Sequence, residues 1–214
     1  MYIGETFSCI LSASNEQRGG RVSAARIHAQ MQTPSQTVQL DDEDGADADA
    51  DVLPGASLQR IVAYDLKEEG AHTLAVTVCY SDRSDPPRVR TFKKLYQFVA
   101  QQCIMVRTKA TALPAATTAA TAAAAVLEAQ LENLSDCPVT LSCVSMKTAW
   151  TATSLNRGVP MLRSRDVVQV AFLLELAAAK RSESDDIGQL SIEWKTACGD
   201  RGFLRTGRLF LPPA

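Results

Sequence analysis

Alternation of apolar and polar residues with a period of two runs through most of this 214-residue chain and points to extended structure. In "GAHTLAVTVCY", residues 70–80, Leu74, Val76, Val78 and Tyr80 fall on one face and Thr73, Ala75, Thr77 and Cys79 on the other. Successive side chains of a strand point to opposite faces, so each face reads as a set of every second residue. "ETFSCILSASN" puts Phe7, Cys9 and Leu11 together, "RVSAARIHAQMQ" interleaves Val22, Ala25 and Ile27 with polar positions, and "ASLQRIVAYDL" follows the turn "LPG" at 53–55. The turn residues "SDRSDPP" separate 70–80 from "RVRTFKKLYQFVA", so 70–99 reads as an antiparallel hairpin with a longer loop.

About 100 residues with strand signals and almost no helical periodicity predict an immunoglobulin-like sandwich, and the pattern then repeats. "CIMVRTKA", "AAVLEAQLEN", "CPVTLSCVSMKTAW", "DVVQVAFLLEL" and the hairpin "GQLSIEWKTACGDRGFLRTGRLFLP" make a second set. The fold class is therefore all-β, with two tandem immunoglobulin-like or fibronectin-like sandwiches of antiparallel strands over residues 1–104 and 105–214. Two segments stand outside the alternation. "DDEDGADADAD" at 41–51 carries seven acids in eleven residues and reads as a solvated loop, without the glycine and terminal glutamate spacing of a calcium loop. The alanine-rich run at 110–125 reads as a low-complexity loop, with a short helix as the other reading of its alanines.

The composition, 46% apolar against 21% charged with a net charge of −2, is that of a soluble globular protein and supplies no global field for nucleic acid or an anionic membrane. Six widely spaced cysteines and two histidines form no CxxC pair and no Cys/His zinc spacing, so free thiols in a reducing compartment are the preferred reading over disulfides. The sequon Asn133-Leu134-Ser135 would matter in the secretory lumen alone. No apolar run approaches the roughly 20 residues of a membrane span. Met1 lies directly against a strand pattern with no leader-like residues, which suggests a piece of a longer protein.

Neither histidine is in a catalytic pattern: His28 lies inside a strand and His72 at the mouth of another, both read as sandwich-edge positions, and seven residues place His72 and Cys79 on opposite faces. No GxSxG, GxGxxG, P-loop or HExxH motif occurs, so neither a catalytic set nor a cofactor or metal is expected. A basic span, from Arg83 to Lys109, interleaves cations with Phe92, Tyr96 and Phe98. Aromatics among cations can mean nucleic acid. Here the aromatics share parity and are read as facing the core with the interleaved cations in water, which makes Arg88, Arg90, Lys93, Lys94, Arg107 and Lys109 a candidate protein-contact surface. Trp150 and Trp194 are either packing residues or exposed binding anchors.

Several stretches are too long and specific for generic sandwich sequence: "YIGETFS" at 2–8, "MQTPSQ" at 31–36, "LKEEGAHTLAVTVCY" at 66–80, "RTFKKLYQF" at 90–98, "VRTK" at 106–109, "LEAQLEN" at 127–133, "LSIEWKT" at 190–196 and "GDRGFLRT" at 199–206. In this order they resemble the family of subunit thirteen of the trafficking protein particle (TRAPP) complex. The resemblance implies a non-catalytic accessory or scaffold subunit of a vesicle-tethering and Rab guanine-nucleotide-exchange complex. That subunit would be cytoplasmic and peripherally associated with Golgi and ER-Golgi membranes through the complex, acting in ER-to-Golgi traffic and autophagy. Its partners would be other TRAPP subunits and, indirectly, a Rab1/Ypt1-type GTPase. The family's chains have residues before the "YIGET" strand and a further β domain after the second sandwich, so one sheet edge of the first domain is expected to lie unpaired. The strand pattern alone also permits an extracellular adhesin-like or receptor-like tandem sandwich.

Overall fold

The computed structural model describes residues 1–17, 20–40, 50–82, 88–114, 121–158, 160–177 and 185–212. Among these residues every regular element is a strand and every pairing is antiparallel. The chain divides into two compact units, one of Met1 with Thr6–Gln101 and one of Tyr2–Glu5 with Gln102–Ala214.

In the first unit, β1 (Thr6–Ser14) and β5 (Ser57–Asp65) form a two-stranded sheet. Its partner sheet runs β3 (Thr37–Gln39), β2 (Val22–Gln32), β6 (Gly70–Asp82), β7 (Arg88–Ala100), with β4 (Ala50–Val52) also on β2. Alternation drives the packing: Leu11 and Val62 from the small sheet meet Ile27, Ala29, Met31, Leu74, Val76 and Val78 from the large one. His72 belongs to the same face. It is fully buried and stacks on Phe98 at 5.5 Å, so its expected edge position is corrected: an even-numbered residue of β6 shares the face of Leu74. At the acidic segment, Asp51 ion-pairs with Arg21 beside β4, while residues 41–49 lie outside the described ones.

The second unit packs two sheets around a larger core. One runs β12 (Met161–Leu162), β10 (Val139–Lys147), β14 (Asp186–Thr196), β15 (Arg201–Arg205), with β16 (Leu209–Phe210) also on β14. The other runs β11 (Thr151–Ser154), β13 (Val167–Ala177), β9 (Thr121–Asn133), β8 (Ile104–Leu113). The alanine-rich run is not a loop throughout: Ala110 pairs with Leu127, Ala112 with Ala125 and Leu113 with Ala124, while residues 115–120 lie outside the described ones. Ala124 and Ala125 are buried, and this sheet context overrides the helix preference of alanine.

Both tryptophans are core residues. Trp150 donates its indole N–H to the Asp186 carbonyl at 3.1 Å, and Trp194 lies opposite Gly202 on β15, where an added Cβ would come within 2.1 Å of the indole. The tetrapeptide Tyr2–Glu5 lies on the outer side of β15: Glu5 bridges Gly202, and the Phe203 N–H donates to the Gly4 carbonyl at 2.9 Å. Gly4 has φ +91°, and a Cβ there would sit 2.3 Å from the Phe203 carbonyl. The N-terminal stretch "YIGET" thus meets the distant hairpin of "LSIEWKT" and "GDRGFLRT" around one indole.

Asn133 is also fixed inside this unit. Its side-chain nitrogen donates to the carbonyls of Cys137, Leu162 and Arg163 at 2.9–3.1 Å, and its oxygen accepts from the Ser135 N–H at 2.9 Å and hydroxyl at 2.6 Å. Asn133 and Ser135, the two sequon side chains that N-glycosylation requires, are buried and tie the β9–β10 loop to Leu162 and Arg163.

Candidate protein-contact surface

Among the described residues the strand β7 is paired on one side alone. It matches β6 without a register break from Arg88↔Asp82 to Ala100↔Gly70, and the sheet order ends at β7. The burial of the two partners differs sharply: β6 is buried or half-buried at every residue but Ala71, whereas β7 is exposed from Arg88 to Gln97. Phe92, Leu95, Tyr96 and Val99 are each about half exposed, and Val89 more so at 78%.

This corrects the reading that Phe92, Tyr96 and Phe98 all fill the core. Phe98 does, stacking on Phe7 at 5.1 Å and on His72. Beyond that stack the sheets part, and a groove of about 730 Å³ opens between β1 and β7, lined by Phe92, Lys94 and Tyr96 and floored by Leu74, Val76 and Val78. It continues into a neighbouring pocket of about 360 Å³ that shares Ala13, Glu16, Val78 and Phe92. The cations do not all alternate with the aromatics either. Arg88, Arg90 and Lys94 have the parity of Phe92 and Tyr96, and Lys93 has that of Leu95.

Of the six candidate residues, four are thus on β7 and two, Arg107 and Lys109, are on β8 of the second unit. Arg90 lies 3.4 Å from Asp82 and Arg107 3.7 Å from Glu132, both exposed pairs of little energetic weight. Lys109 lies opposite Glu128 in the β8–β9 register. Among the described residues no acid pairs with Arg88, Lys93 or Lys94. Arg83 lies outside the described residues.

The buried polar groups offer packing rather than chemistry. Burial pushes the Cys103 thiol up to about 12, assisted by the Glu5 carboxylate, so the thiolate that a nucleophile needs is scarce at neutral pH. Burial also raises the Glu5 carboxyl, opposed by the Tyr2 N–H that donates to it at 3.0 Å. The Trp194 indole N–H faces that carboxyl and lowers its pKa, yet falls short of hydrogen-bonding geometry. His72 and Cys79 are not brought together: His72 sits under Phe98, while Cys79 accepts from the Thr91 hydroxyl at 3.4 Å on the opposite face. Among the described residues no group of three or more His, Cys, Asp or Glu could hold a metal ion, and no helix is long and apolar enough to cross a membrane.

Sequence parity could have placed Lys94 in the groove. What it could not supply is the opening itself, which depends on a two-stranded sheet facing a wider one.

Comparison with known proteins matches both units. Residues 1–100 match the family model described as trafficking protein particle complex subunit 13, N-terminal, and residues 104–210 the model of its middle domain. The chain is 26% identical over 231 residues to trafficking protein particle complex subunit 13 of Xenopus laevis and 27% identical over 229 residues to that of Pongo abelii. It is 27% identical over 221 residues to the probable homolog of Caenorhabditis elegans. Each alignment covers 98% of this chain and 53–54% of the relative, so the chain spans about half the length of the curated relatives it matches. The chain belongs to the trafficking protein particle complex subunit 13 family.

Proposed function

We propose that this chain is a non-catalytic accessory subunit of a TRAPP assembly and acts through protein contacts of its sandwiches. In this reading it serves ER-to-Golgi traffic and autophagy, is cytoplasmic, and reaches Golgi and ER-Golgi membranes through the complex. Other subunits are its direct partners and a Rab1/Ypt1-type GTPase an indirect one. The observation that carries the reading is the pair of consecutive family matches, which together span nearly all of both units. The groove beside β7 supports a binding role, because an open apolar edge is the usual entry point for an added strand. The burial of Asn133 supports the intracellular reading over an adhesin-like one, since the sequon is used to hold a loop.

The test is a pull-down of the full-length protein from its own cytosol at low salt. Recovery of other subunits of the tethering complex is the expected result. Recovery of none of them, with the bait folded, would overturn the assignment.

A further inference from the structure

We propose that the free edge of β7 binds an extended acidic segment of another protein, which adds as the next strand and lays its apolar side chains in the groove between β7 and β1. The inference deepens the protein-contact reading above and rests on it.

A strand with one partner leaves every second residue's N–H and C=O pointing outward, so β7 offers a row of main-chain donors and acceptors along 13 residues. Proteins blunt such edges with proline, a bulge or short length. Here there is no proline between Arg88 and Ala100, the register with β6 is unbroken, and the strand is long. Lysines also blunt edges, and that is the plain reading of Lys93. It does not account for Lys94, which lines the groove beside Phe92 and Tyr96 over the floor of Leu74, Val76 and Val78. Phe7, which stacks on Phe98, also lines the groove, so the apolar lining borders a packed part of the core and could receive the side chains of an edge-bound strand.

Charge selects the occupant. β7 carries Arg88, Arg90, Lys93 and Lys94 and no acid, and among the described residues an ion pair is formed by Arg90 alone of the four. A second copy pairing antiparallel through β7 at full overlap would centre on residue 94, setting Lys94 against Lys94 with the other cations close by. Like charges directly opposite destabilise a pair of strands, which disfavours that dimer. An acidic guest supplies the missing countercharge along β7; the one acid in the groove's lining, Glu16, follows β1 and is not on β7. Read against Phe92, Lys93, Lys94, Leu95 and Tyr96, the complementary pattern is apolar, acidic, acidic, apolar, apolar. A guest of about six residues spans roughly 20 Å at 3.3 Å per residue, about the length of β7 from Arg90 to Tyr96.

The probe is a fluorescein-labelled nonapeptide with the core Val-Val-Glu-Glu-Val, beside a version with lysine for both glutamates and one with proline at the centre. Each is titrated against the 214-residue chain by fluorescence anisotropy, and hydrogen exchange maps the bound state. The acidic peptide is expected to bind about tenfold tighter than the basic one at low salt, to protect amides of β7, and to lose binding when proline interrupts it. In the double variant Lys93→Glu, Lys94→Glu the preference should reverse while the amides of β2 stay protected, which separates lost binding from lost folding. Equal or absent binding of the acidic and basic peptides overturns the proposal, as does protection away from β7. Concentration-dependent dimerisation abolished by the double variant, without peptide binding, assigns the edge to a second copy instead. Co-sedimentation with phosphatidylserine vesicles, without peptide binding, assigns it to a membrane surface. The peptide result is independent of the pull-down: loss of one with the other intact identifies which of the two readings fails.

Discussion

The two units are written in the same period-two pattern and differ in how they close. In the second, eighteen buried apolar side chains, Trp194 among them, form one cluster among the described residues, and Tyr2–Glu5 lies along the outer side of β15. In the first, the corresponding cluster has eight members, and Leu74, Val76 and Val78 form the floor of an open groove. Alternation decides which face of a strand turns inward. It does not decide whether anything covers the edge, and that difference separates a closed core from one that opens into a groove.

The sharpest way to break this contrast is at Trp194. Trp194→Ala removes the largest buried side chain of the second unit and should cost it about 4 kcal/mol, read by denaturant unfolding through the fluorescence of the remaining Trp150. Both tryptophans are in the second unit, so this signal reports that unit alone. Amide protection in β2 and β6 should be unchanged. If it falls in parallel, the two units are one cooperative core and the contrast fails.

Gly202→Ala approaches the same indole from the other side. The new Cβ has no room 2.1 Å from the ring, so β15 or Trp194 must move, at an expected cost of about 2–3 kcal/mol by the same fluorescence readout. A neutral result would mean that β15 shifts freely, which its pairing to both β14 and Glu5 argues against.

Matched valines compare the two cores directly. Val139 is fully buried in the second unit, whereas Val76 is on the groove floor of the first. Val139→Ala should cost about 2 kcal/mol, because the lost methyl groups leave a closed void. Val76, though buried, borders the groove, so its surroundings can relax into the lost volume and Val76→Ala should cost about 1 kcal/mol; hydrogen exchange of β6 and β10 amides measures each. Equal losses would mean that the groove is closed in solution.

How far the sequence could have anticipated all this depends on the range of the interaction involved. The face of Leu74, Val76 and Val78 is legible because parity is local to one strand, and the same rule applied to His72 and Lys94 places both on the inner face. The strand character of Ala110 to Leu113 and Ala123 to Ala125 is hidden, because alanine's local preference is helical; pairing in the sheet, with Ala124 and Ala125 buried on β9 between β8 and β13, reverses it. The meeting of Gly4, Trp194 and Gly202 is hidden for another reason. The pairing of residue 5 with residue 202 leaves no trace in any local window. Of the candidate contact residues, the grouping of Arg88 to Lys94 on one strand was legible, while the opening beside them depends on the width of the facing sheet.

The smallest expected effect concerns the buried charge of Glu5, the last residue of the tetrapeptide on β15. Burial raises the Glu5 carboxyl above its usual 4.5, so the folded state takes up its proton more readily than the unfolded chain does. A group shifted in this direction contributes its full stabilisation below about pH 4.5, and that contribution is lost as pH rises through the folded value. Acidification from pH 7 to pH 5 should therefore stabilise this group's part of the second unit, against the general trend for carboxylates paired in the folded state. Glu5→Gln keeps an oxygen for the Tyr2 N–H and removes the charge, so its unfolding free energy, followed by tryptophan fluorescence, should vary less steeply with pH over this range. The Cys103 thiol should stay high in the variant, because burial is the larger cause of its shift and the Glu5 charge the smaller. An unchanged slope would show that Glu5 is as well solvated in the folded chain as in the unfolded one, and the seal at β15 would then be looser than that at the Trp194–Gly202 contact.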